Sequence, residues 1–306
     1  MKDLKHLIYF ENLLQEAQNE LVSQAVNDGK IALGYNCYYI PEVLLNLPGC
    51  FSSRLRAPRC SSPDVATYYM TNRNCPYVRS ILERGIEGGY NYLSALFGAE
   101  SCAAMERMQE HFFLINPVKN DKFFVTIIDP PMKGDKTSLD YYKAQLKLKV
   151  VDELEKRFGI DVSDAAMRKA VEDFNELCDV ITEIGSFPSR ERIEIAPGES
   201  AFDAICRHYL HWNQCARFMS GDKIDQRHLE VKRLVDEFHA DGVVYENMKF
   251  CEFWSYEKVL GSFVLQNEMG VPCCTIEKEY ALGSVGQLRT RFQAFVESLE
   301  IKKINA

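Results

Sequence analysis

The sequence has no long hydrophobic run. No stretch reaches the roughly 18 apolar residues that a membrane-spanning helix needs. The charged N-terminus, residues 1–6, lacks the apolar core and cleavage site of a signal peptide. A run rich in lysine and arginine is also missing, and the net charge of −8 argues against nucleic-acid binding. We therefore expect a cytoplasmic protein that has neither a membrane nor a nucleic acid as a partner.

Several motifs that identify common enzyme classes are absent. The glycines form neither a Gly-x-Gly-x-x-Gly fingerprint nor a phosphate-binding loop, which excludes the usual nucleotide-binding classes. Gly-x-Ser-x-Gly and His-Glu-x-x-His are missing too, which excludes two frequent hydrolase types. No histidine pairs with a cysteine at zinc-finger spacing. His208 and His211 lie three residues apart on a predicted helix, but their aromatic neighbours favour a packed histidine face over a metal site.

Cysteine, in contrast, is plentiful, with eleven in 306 residues. Thiols in the expected compartment are normally reduced, so each is a candidate metal ligand or a small buried side chain. The eleven are Cys37, Cys50, Cys60, Cys75, Cys102, Cys178, Cys206, Cys215, Cys251, Cys273 and Cys274. Cys178, Cys206 and Cys215 fall within predicted amphipathic helices, and we assign them to packing.

The hydrophobic pattern predicts an α/β protein. Strands are predicted at 31–35, around 55, and at 93–97, 123–128, 242–245 and 271–276, and the longest predicted helices are 3–27, 138–158, 163–183 and 201–219. Strands that alternate with helices indicate a parallel sheet covered by helices. We predict two Rossmann-like parallel-sheet domains, the second abbreviated, with a helical segment between them. The predicted boundaries are 1–29 for an N-terminal helix, 30–135 for the first α/β domain, 136–222 for the helical segment and 223–306 for the second α/β domain.

Four cysteines are predicted where open α/β sheets bind ligands, beyond the carboxyl ends of strands. Cys37, Cys102 and Cys251 each follow a predicted strand, and Cys75 opens a helix whose N-terminus favours an anion. Soft thiolates from separated loops are the ligands that an iron–sulfur cluster uses. Because no Cys-x₂-Cys pair is present, spacing alone leaves the alternative open that each thiol is a small residue at a crowded junction.

Several segments resemble, in the correct order, the signatures of the 2-hydroxyacyl-CoA dehydratase D-component family, which includes benzoyl-CoA reductase subunits and double-cubane-cluster proteins. The similar segments are 34–42 (GYNCYYIPE), 75–80 (CPYVRS), 101–102 after the strand at 93–97, 240–244 (ADGVV) with 249–251 (KFC), and 271–272 (VP), 276–280 (IEKEY) and 286–295 (GQLRTRFQAF). The resemblance extends over both ends of the chain.

What the resemblance implies is a cluster held by three cysteines at the junction of two α/β domains. On this chain they would be Cys75, Cys102 and Cys251, with Cys37 as an extra candidate. The implied cofactor is a [4Fe-4S] cluster with one open iron, and a double-cubane [8Fe-9S] cluster is the alternative. An open iron acts as a Lewis acid as well as an electron donor. In the family a CoA thioester takes up one electron as a ketyl radical and expels water, and an ATP-dependent activator iron–sulfur protein supplies that electron.

Two departures from the family pattern bear on the function. The interval 186–222 contains one predicted helix and no strand where family members carry an additional strand–helix unit, and Glu279 precedes Tyr280 where aspartate is usual.

We therefore predict a subunit of an acyl-CoA dehydratase or reductase that pairs with a homologous second subunit. This subunit either acts on the acyl-CoA substrate or relays electrons to its partner. A homodimeric double-cubane reductase of small molecules and a non-catalytic scaffold or electron carrier are the alternatives.

Three charged residues are candidates for the substrate site. Glu42 is the candidate catalytic residue, and Arg289 and Arg291 are candidates for binding CoA or for the surroundings of the cluster. Simpler explanations stay open for all three: a solvated helix face for the arginines, and dipole complementation at a helix start for Glu42.

Overall fold

In a computed structural model of the chain, the predicted strands pair into two parallel sheets. The structure describes residues 4–183, 191–213, 215–218, 221–281 and 285–305. By its internal contacts the chain separates into two units: Met1–Arg59 with Ile81–Asn213 form the first, and Cys60–Ser80 with Gln214–Ala306 form the second. The α/β prediction is confirmed, whereas the four-part division at 29/30, 135/136 and 222/223 stays a prediction.

The first unit is built on a four-stranded parallel sheet. Its strands are β1 (Ile31–Tyr35), β2 (Cys50–Arg54), β3 (Ala95–Ala99) and β4 (Phe124–Ile128), in the order β2-β1-β3-β4. The central strands are buried on both faces, as an apolar parallel sheet requires, and Leu33 and Phe97 are each 0% exposed. Because β1 has β2 on one side and β3 on the other, the direction of winding reverses between β1 and β3.

Helices cover the sheets and fill the middle of the chain. The described helices are α1 (Lys5–Leu14), α2 (Glu20–Asn27), α3 (Ala66–Tyr69), α4 (Pro76–Ile86), α5 (Ala103–Ile115), α6 (Lys136–Leu146), α7 (Asp152–Phe158), α8 (Asp164–Glu183), α9 (Ala201–Trp212), α10 (Gly221–Glu237), α11 (Glu252–Asn267) and α12 (Val285–Asn305). Short 3-10 turns occur at Glu42–Leu45 and Ala216–Phe218, and a π-helical turn at Lys147–Val151 joins α6 to α7. None of the described helices is long and apolar enough to cross a membrane.

Two of the predicted helices are shorter than the pattern suggested. The single opening helix predicted at 3–27 is divided into α1 and α2. Asn19 is the N-cap residue of α2, because its side chain accepts a hydrogen bond from the Val22 N–H. Asp3, where that prediction began, lies outside the described residues. The helix predicted at 201–219 ends at Trp212, and its last residue, Met219, also lies outside the described residues.

In the helical middle of the chain, α8 packs against α9. Cys178 and Cys206, which we assigned to packing, are buried there as predicted. His208 packs against the rings of Phe174 and Tyr209, as predicted, whereas His211 is exposed and does not belong to a packed face. Burial lowers the pKa of His208 from 6.5 to about 4. The imidazole is therefore held neutral in the folded first unit.

The second unit contains a much smaller sheet. Its strands β5 (Val243–Met248) and β6 (Cys273–Lys278) pair in parallel, and they are the only strands in the described part of this unit. A two-stranded sheet has little independent stability, so the unit depends on the helices that pack on it, chiefly α11. Between the helices α10 and α11, the carboxylate of Glu257 is fully buried and pairs with Arg227 and His228. The described residues thus agree with the prediction of an abbreviated second sheet.

Truncating a buried leucine of β1 tests the packing of the first unit. Leu33→Ala is expected to lower the free energy of unfolding by about 2–5 kcal/mol, because the side chain is completely buried and leaves a cavity. Leu148→Ala is the matched control, since Leu148 is 62% exposed, and it should change stability by less than about 0.5 kcal/mol. Urea unfolding followed by far-UV circular dichroism measures both, and equal losses would contradict the assigned core.

The buried imidazole of His208 gives a pH-dependent contribution to stability. Its folded pKa of about 4 lies below the unfolded value of 6.5, so between these values the unfolded chain binds more protons. The free energy of unfolding should therefore rise with pH from about 4 to about 6.5. His208→Gln should flatten this slope, whereas His6→Gln, at an exposed position of α1, should retain it. Identical slopes in the two variants would contradict the assignment.

Candidate functional site

The winding reversal between β1 and β3 marks the place where an open α/β sheet binds ligands. Parallel strands end at the same edge of a sheet, and Tyr35 of β1 pairs with Phe97 of β3 at that edge. Cys37 follows β1 and Cys102 follows β3, and both thiols are half-buried. The structure therefore brings these two sequence-predicted cysteines to the same edge of the first sheet.

Cys102 is the N-cap residue of α5. Its backbone is extended and its carbonyl accepts a hydrogen bond from the Glu106 N–H at 3.0 Å, while its thiol makes no capping hydrogen bond. The free N–H groups and the dipole at such a helix start favour a negatively charged group. Cys102 thus lies at such a helix start.

Two buried amides lie at this edge and were missed by the sequence patterns. The Gln109 side-chain nitrogen donates to the Ala99 carbonyl at 3.3 Å and lies 3.4 Å from the Asn36 side-chain oxygen. Gly98 makes room for this arrangement, since a Cβ there would lie 2.5 Å from the Gln109 side chain. These contacts hold the segments after β1 and β3 against α5. A glycine inside an otherwise apolar strand was the one available signal.

Glu42 is buried in the first unit, at 6% exposure, in the 3-10 turn that follows Cys37. The Tyr35 hydroxyl donates a hydrogen bond to its carboxylate at 2.6 Å. Asn46 donates to the Glu42 backbone carbonyl at 2.9 Å and thereby fixes the turn. Since the turn is only four residues long, dipole complementation explains little of this burial. The Glu42 carboxylate is thus held in the first unit by the Tyr35 hydroxyl.

Cys75 belongs to the second unit and begins α4. Pro76 is the first residue of that helix, where a missing N–H costs no hydrogen bond. The carbonyl of Cys75 accepts from the Arg79 N–H at 3.3 Å, which makes Cys75 the N-cap residue. The Arg79 side chain donates to the Asn74 carbonyl at 3.2 Å and holds the turn that precedes the helix. The predicted position of Cys75 at a helix start is confirmed.

Cys251 is the N-cap residue of α11, three residues after β5 ends. Phe250 before it has a φ of +60°, which is uncommon for a residue other than glycine and is typical of constrained functional turns. Lys249 anchors this turn through an ion pair with Glu279 at 3.0 Å. Burial raises the pKa of the Cys251 thiol, and the nearby Trp254 N–H opposes that shift.

Cys215 corrects one of the sequence-based assignments. It lies outside any helix, half-buried, directly before the 3-10 turn Ala216–Phe218, so it is not the helical packing residue that we predicted. Its thiol also contributes to the raised pKa of Cys251, after burial. Periodicity could not find this position, because the apolar pattern of α9 continues past the residue where the helix ends.

The two candidate arginines are exposed on α12 in the second unit. Arg289 and Arg291 are accessible to an anionic ligand, and the solvated helix face explains them equally well. Glu42 belongs to the first unit, and its candidate catalytic role does not depend on these two arginines.

The thiols fit the cluster that the sequence resemblance implies. Within each unit, the described residues bring no three histidine, cysteine or carboxylate side chains close enough to hold a single metal ion. A [4Fe-4S] cluster binds each thiolate to a different iron atom, so its ligands do not converge on one ion. Cys75, Cys102 and Cys251 are soft donors, half-buried, and each is the residue from which a helix starts. That donor set suits a negatively charged iron–sulfur cluster.

Comparison with known proteins gives relatives of one kind. The chain is 22% identical over 231 residues to the (R)-phenyllactyl-CoA dehydratase beta subunit of Clostridium sporogenes, which covers 74% of this chain and 60% of that protein. It is 23% identical over 216 residues to the lactoyl-CoA dehydratase subunit beta of Anaerotignum propionicum, covering 70% and 52%. A putative dehydratase subunit of Escherichia coli K12, YjiM, is 33% identical over 105 residues, covering 34% and 26%. The chain thus spans little more than half the length of the first two relatives.

A family model gives the broadest match. The model of 2-hydroxyglutaryl-CoA dehydratase, D-component, matches residues 37–196 and 183–299, which together make up most of the chain. This span includes the strands β2, β3 and β4 of the first sheet, the helical middle and the second sheet. The chain therefore belongs to the 2-hydroxyglutaryl-CoA dehydratase D-component family.

Proposed function

We propose that the chain is the iron–sulfur component of an acyl-CoA dehydratase, with Cys75, Cys102 and Cys251 as the ligands of a [4Fe-4S] cluster. The observation that carries the proposal is the shared position of these cysteines, each the N-cap residue of its own helix. Family membership gives the reaction class. Cys37, at the same sheet edge as Cys102, is an additional candidate, and a double-cubane [8Fe-9S] cluster is the alternative cofactor.

The protein's own groups would hold the cluster and tune its surroundings. The starts of α4, α5 and α11 present backbone N–H groups and positive dipole ends to the thiolates, and the Trp254 N–H lies near the Cys251 thiol. When bound through three thiolates, such a cluster supplies low-potential electrons and one iron open to a substrate oxygen.

Glu42 is the proposed proton acceptor. Elimination of water from a 2-hydroxyacyl thioester removes the hydroxyl from C2 and a proton from C3, and a positioned carboxylate can take that proton. The hydrogen bond from Tyr35, at 2.6 Å, holds the Glu42 carboxylate in one orientation. Arg289 and Arg291 are proposed to bind the phosphates of CoA, since exposed guanidinium groups pair well with phosphate oxygens.

A partner chain is part of the proposal. Two of the relatives are named as beta subunits of dehydratases. We infer a homologous second subunit and an ATP-dependent activator iron–sulfur protein as partners, with an acyl-CoA as the substrate of the assembly. The two-stranded second sheet favours one further possibility, namely that this chain relays electrons and the partner binds the substrate.

Removing one ligand tests the cluster assignment. Anaerobically reconstituted protein is expected to bind about four irons per chain, and Cys251→Ser should lose most of that iron because serine replaces a soft thiolate ligand. Cys75→Ser and Cys102→Ser should behave alike. Cys274→Ser, at a half-buried position of β6, is the matched control and should retain the iron. An iron-free wild-type protein would refute the proposal, and unchanged iron in Cys251→Ser would refute the ligand set.

Replacing Glu42 tests the reaction. With a co-expressed homologous chain, activator, ATP and a 2-hydroxyacyl-CoA, formation of the 2-enoyl-CoA can be followed by chromatography. Glu42→Gln is expected to lower kcat by about 10²–10⁴-fold, the usual contribution of a general base, with iron content unchanged. Glu110→Gln, at an exposed position of α5, is the control. Full activity of Glu42→Gln in an active complex would place the substrate site on the partner chain.

A further inference from the structure

A cavity of about 510 Å³ lies beside β4, the edge strand of the first sheet. We call it the α5–β4 cavity. None of the proposed cluster ligands is among the described residues that line it. Its volume is in the range of small-molecule sites. The lining is formed chiefly by Glu110, Phe113, Leu114, Val125, Ile127 and Lys149.

Most of the wall of this cavity is apolar and accessible to solvent. Phe113 and Leu114 are consecutive large side chains near the end of α5, and they are 71% and 66% exposed. Val125 and Ile127 lie two positions apart in β4, so their side chains share one face of the strand, and both are half-buried. A contiguous apolar surface of this kind gains free energy when an apolar ligand covers it and water leaves.

Lys149 supplies one positive charge at this wall. Its ammonium nitrogen donates to the Ile127 carbonyl at 2.7 Å, which fixes the charge against β4. The residue is half-buried and lies in the π-helical turn Lys147–Val151, a rare conformation that is frequent at functional sites. No carboxylate in the described part of the chain forms an ion pair with Lys149. An ammonium group has three N–H donors, so two of them can serve an anionic ligand.

The same hydrogen bond argues against a further strand as the occupant. The Ile128 carbonyl accepts from the Glu100 N–H, on the side of β3, at 2.8 Å. Successive carbonyls of a strand point to opposite sides, so the Ile127 carbonyl faces the open edge, where an added strand would pair. Lys149 occupies that acceptor, as lysine does at many protected sheet edges. A small molecule therefore suits this position better than an extended peptide.

The charges around the cavity favour an anion. Glu110 is the acidic residue among the described lining residues, and its carboxylate pairs with Arg107 at 2.8 Å. The negative charge of Glu110 is thus already offset by a neighbour on α5. A ligand that joins an apolar body to a single carboxylate would match both the apolar wall and the ammonium group of Lys149.

We propose that the α5–β4 cavity binds a monocarboxylate with an apolar chain or ring. The carboxylate accepts hydrogen bonds from the Lys149 ammonium group, and the apolar part lies against Phe113, Leu114 and Val125. Binding is non-covalent and requires no metal. The inference goes beyond the proposed function and is independent of the cluster, because every residue in it belongs to the first unit.

Isothermal titration calorimetry with octanoate tests the site on the full-length chain. Octanoate is expected to bind one site per chain. Octanamide, which has the same chain length but no charge, should bind at least about tenfold more weakly, because hydrogen bonds to charged groups are the stronger ones. Lys149→Met should weaken octanoate binding by a similar factor, and Lys149→Arg should retain most of the affinity. Lys147→Met is the matched control, since Lys147 lies in the same turn but pairs with Asp152, and it should bind octanoate like the wild type.

Phe113→Ala tests the apolar wall independently of the charge. The side chain is exposed, so its truncation should leave the fold intact. Octanoate should nevertheless bind at least about threefold more weakly, because the ligand covers less apolar surface.

The outcomes separate this inference from the cluster proposal. Equal affinities for octanoate and octanamide would overturn it, and so would undetectable octanoate binding. Unchanged octanoate binding by Lys149→Met, with the far-UV circular dichroism of the wild type, would also overturn it. A wild-type dimer that Phe113→Ala dissociates in sedimentation experiments, without octanoate binding, would replace the ligand site by a contact between two copies. Iron content after anaerobic reconstitution should be equal in the wild type, Lys149→Met and Phe113→Ala, so failure here leaves the cluster assignment intact.

Discussion

The parallel pairing of β1 with β3 is the constraint on which the first unit depends. Parallel neighbours end at the same edge of a sheet, so the segments that follow them meet there, although β1 and β3 are about sixty residues apart in the chain. The buried amides of Asn36 and Gln109 and the small volume of Gly98 then hold these segments against α5. Cys37, Glu42 and Cys102 owe their places to this pairing rather than to any local motif.

A second regularity is the use of cysteine as the residue before a helix. Serine, threonine, asparagine and aspartate are the usual N-cap residues, because their side chains accept hydrogen bonds from the first turn. At Cys102 the thiol makes no such bond, so the cap position there does not serve the helix in the usual way. A helix start also carries positive partial charge, which favours a negatively charged group. Three cysteines share this arrangement, which is why we regard them as one set.

The second unit combines a very small sheet with an unusual amount of buried charge. Glu257, Arg227 and His228 form a buried network, and the nearby Lys223 is nearly as inaccessible. Buried ion pairs contribute little net stability, since desolvation offsets their attraction.

By itself the sequence determined the local structure and the family. Apolar periodicity located the strands, Pro76 marked the start of α4, and the ordered segments around Cys37, Cys75, Cys102 and Cys251 were sufficient to recognise the D-component family. Periodicity did not show that α9 ends at Trp212, because apolar spacing continues past the last residue with helical hydrogen bonds. The buried contacts of Gln109, Tyr35 and Glu257 were equally invisible, since each is made by residues distant in sequence or by a turn without a pattern. Those contacts, and with them the surroundings of each thiol, were decided only by the tertiary structure, because burial and electrostatic environment arise from packing between elements and not within them.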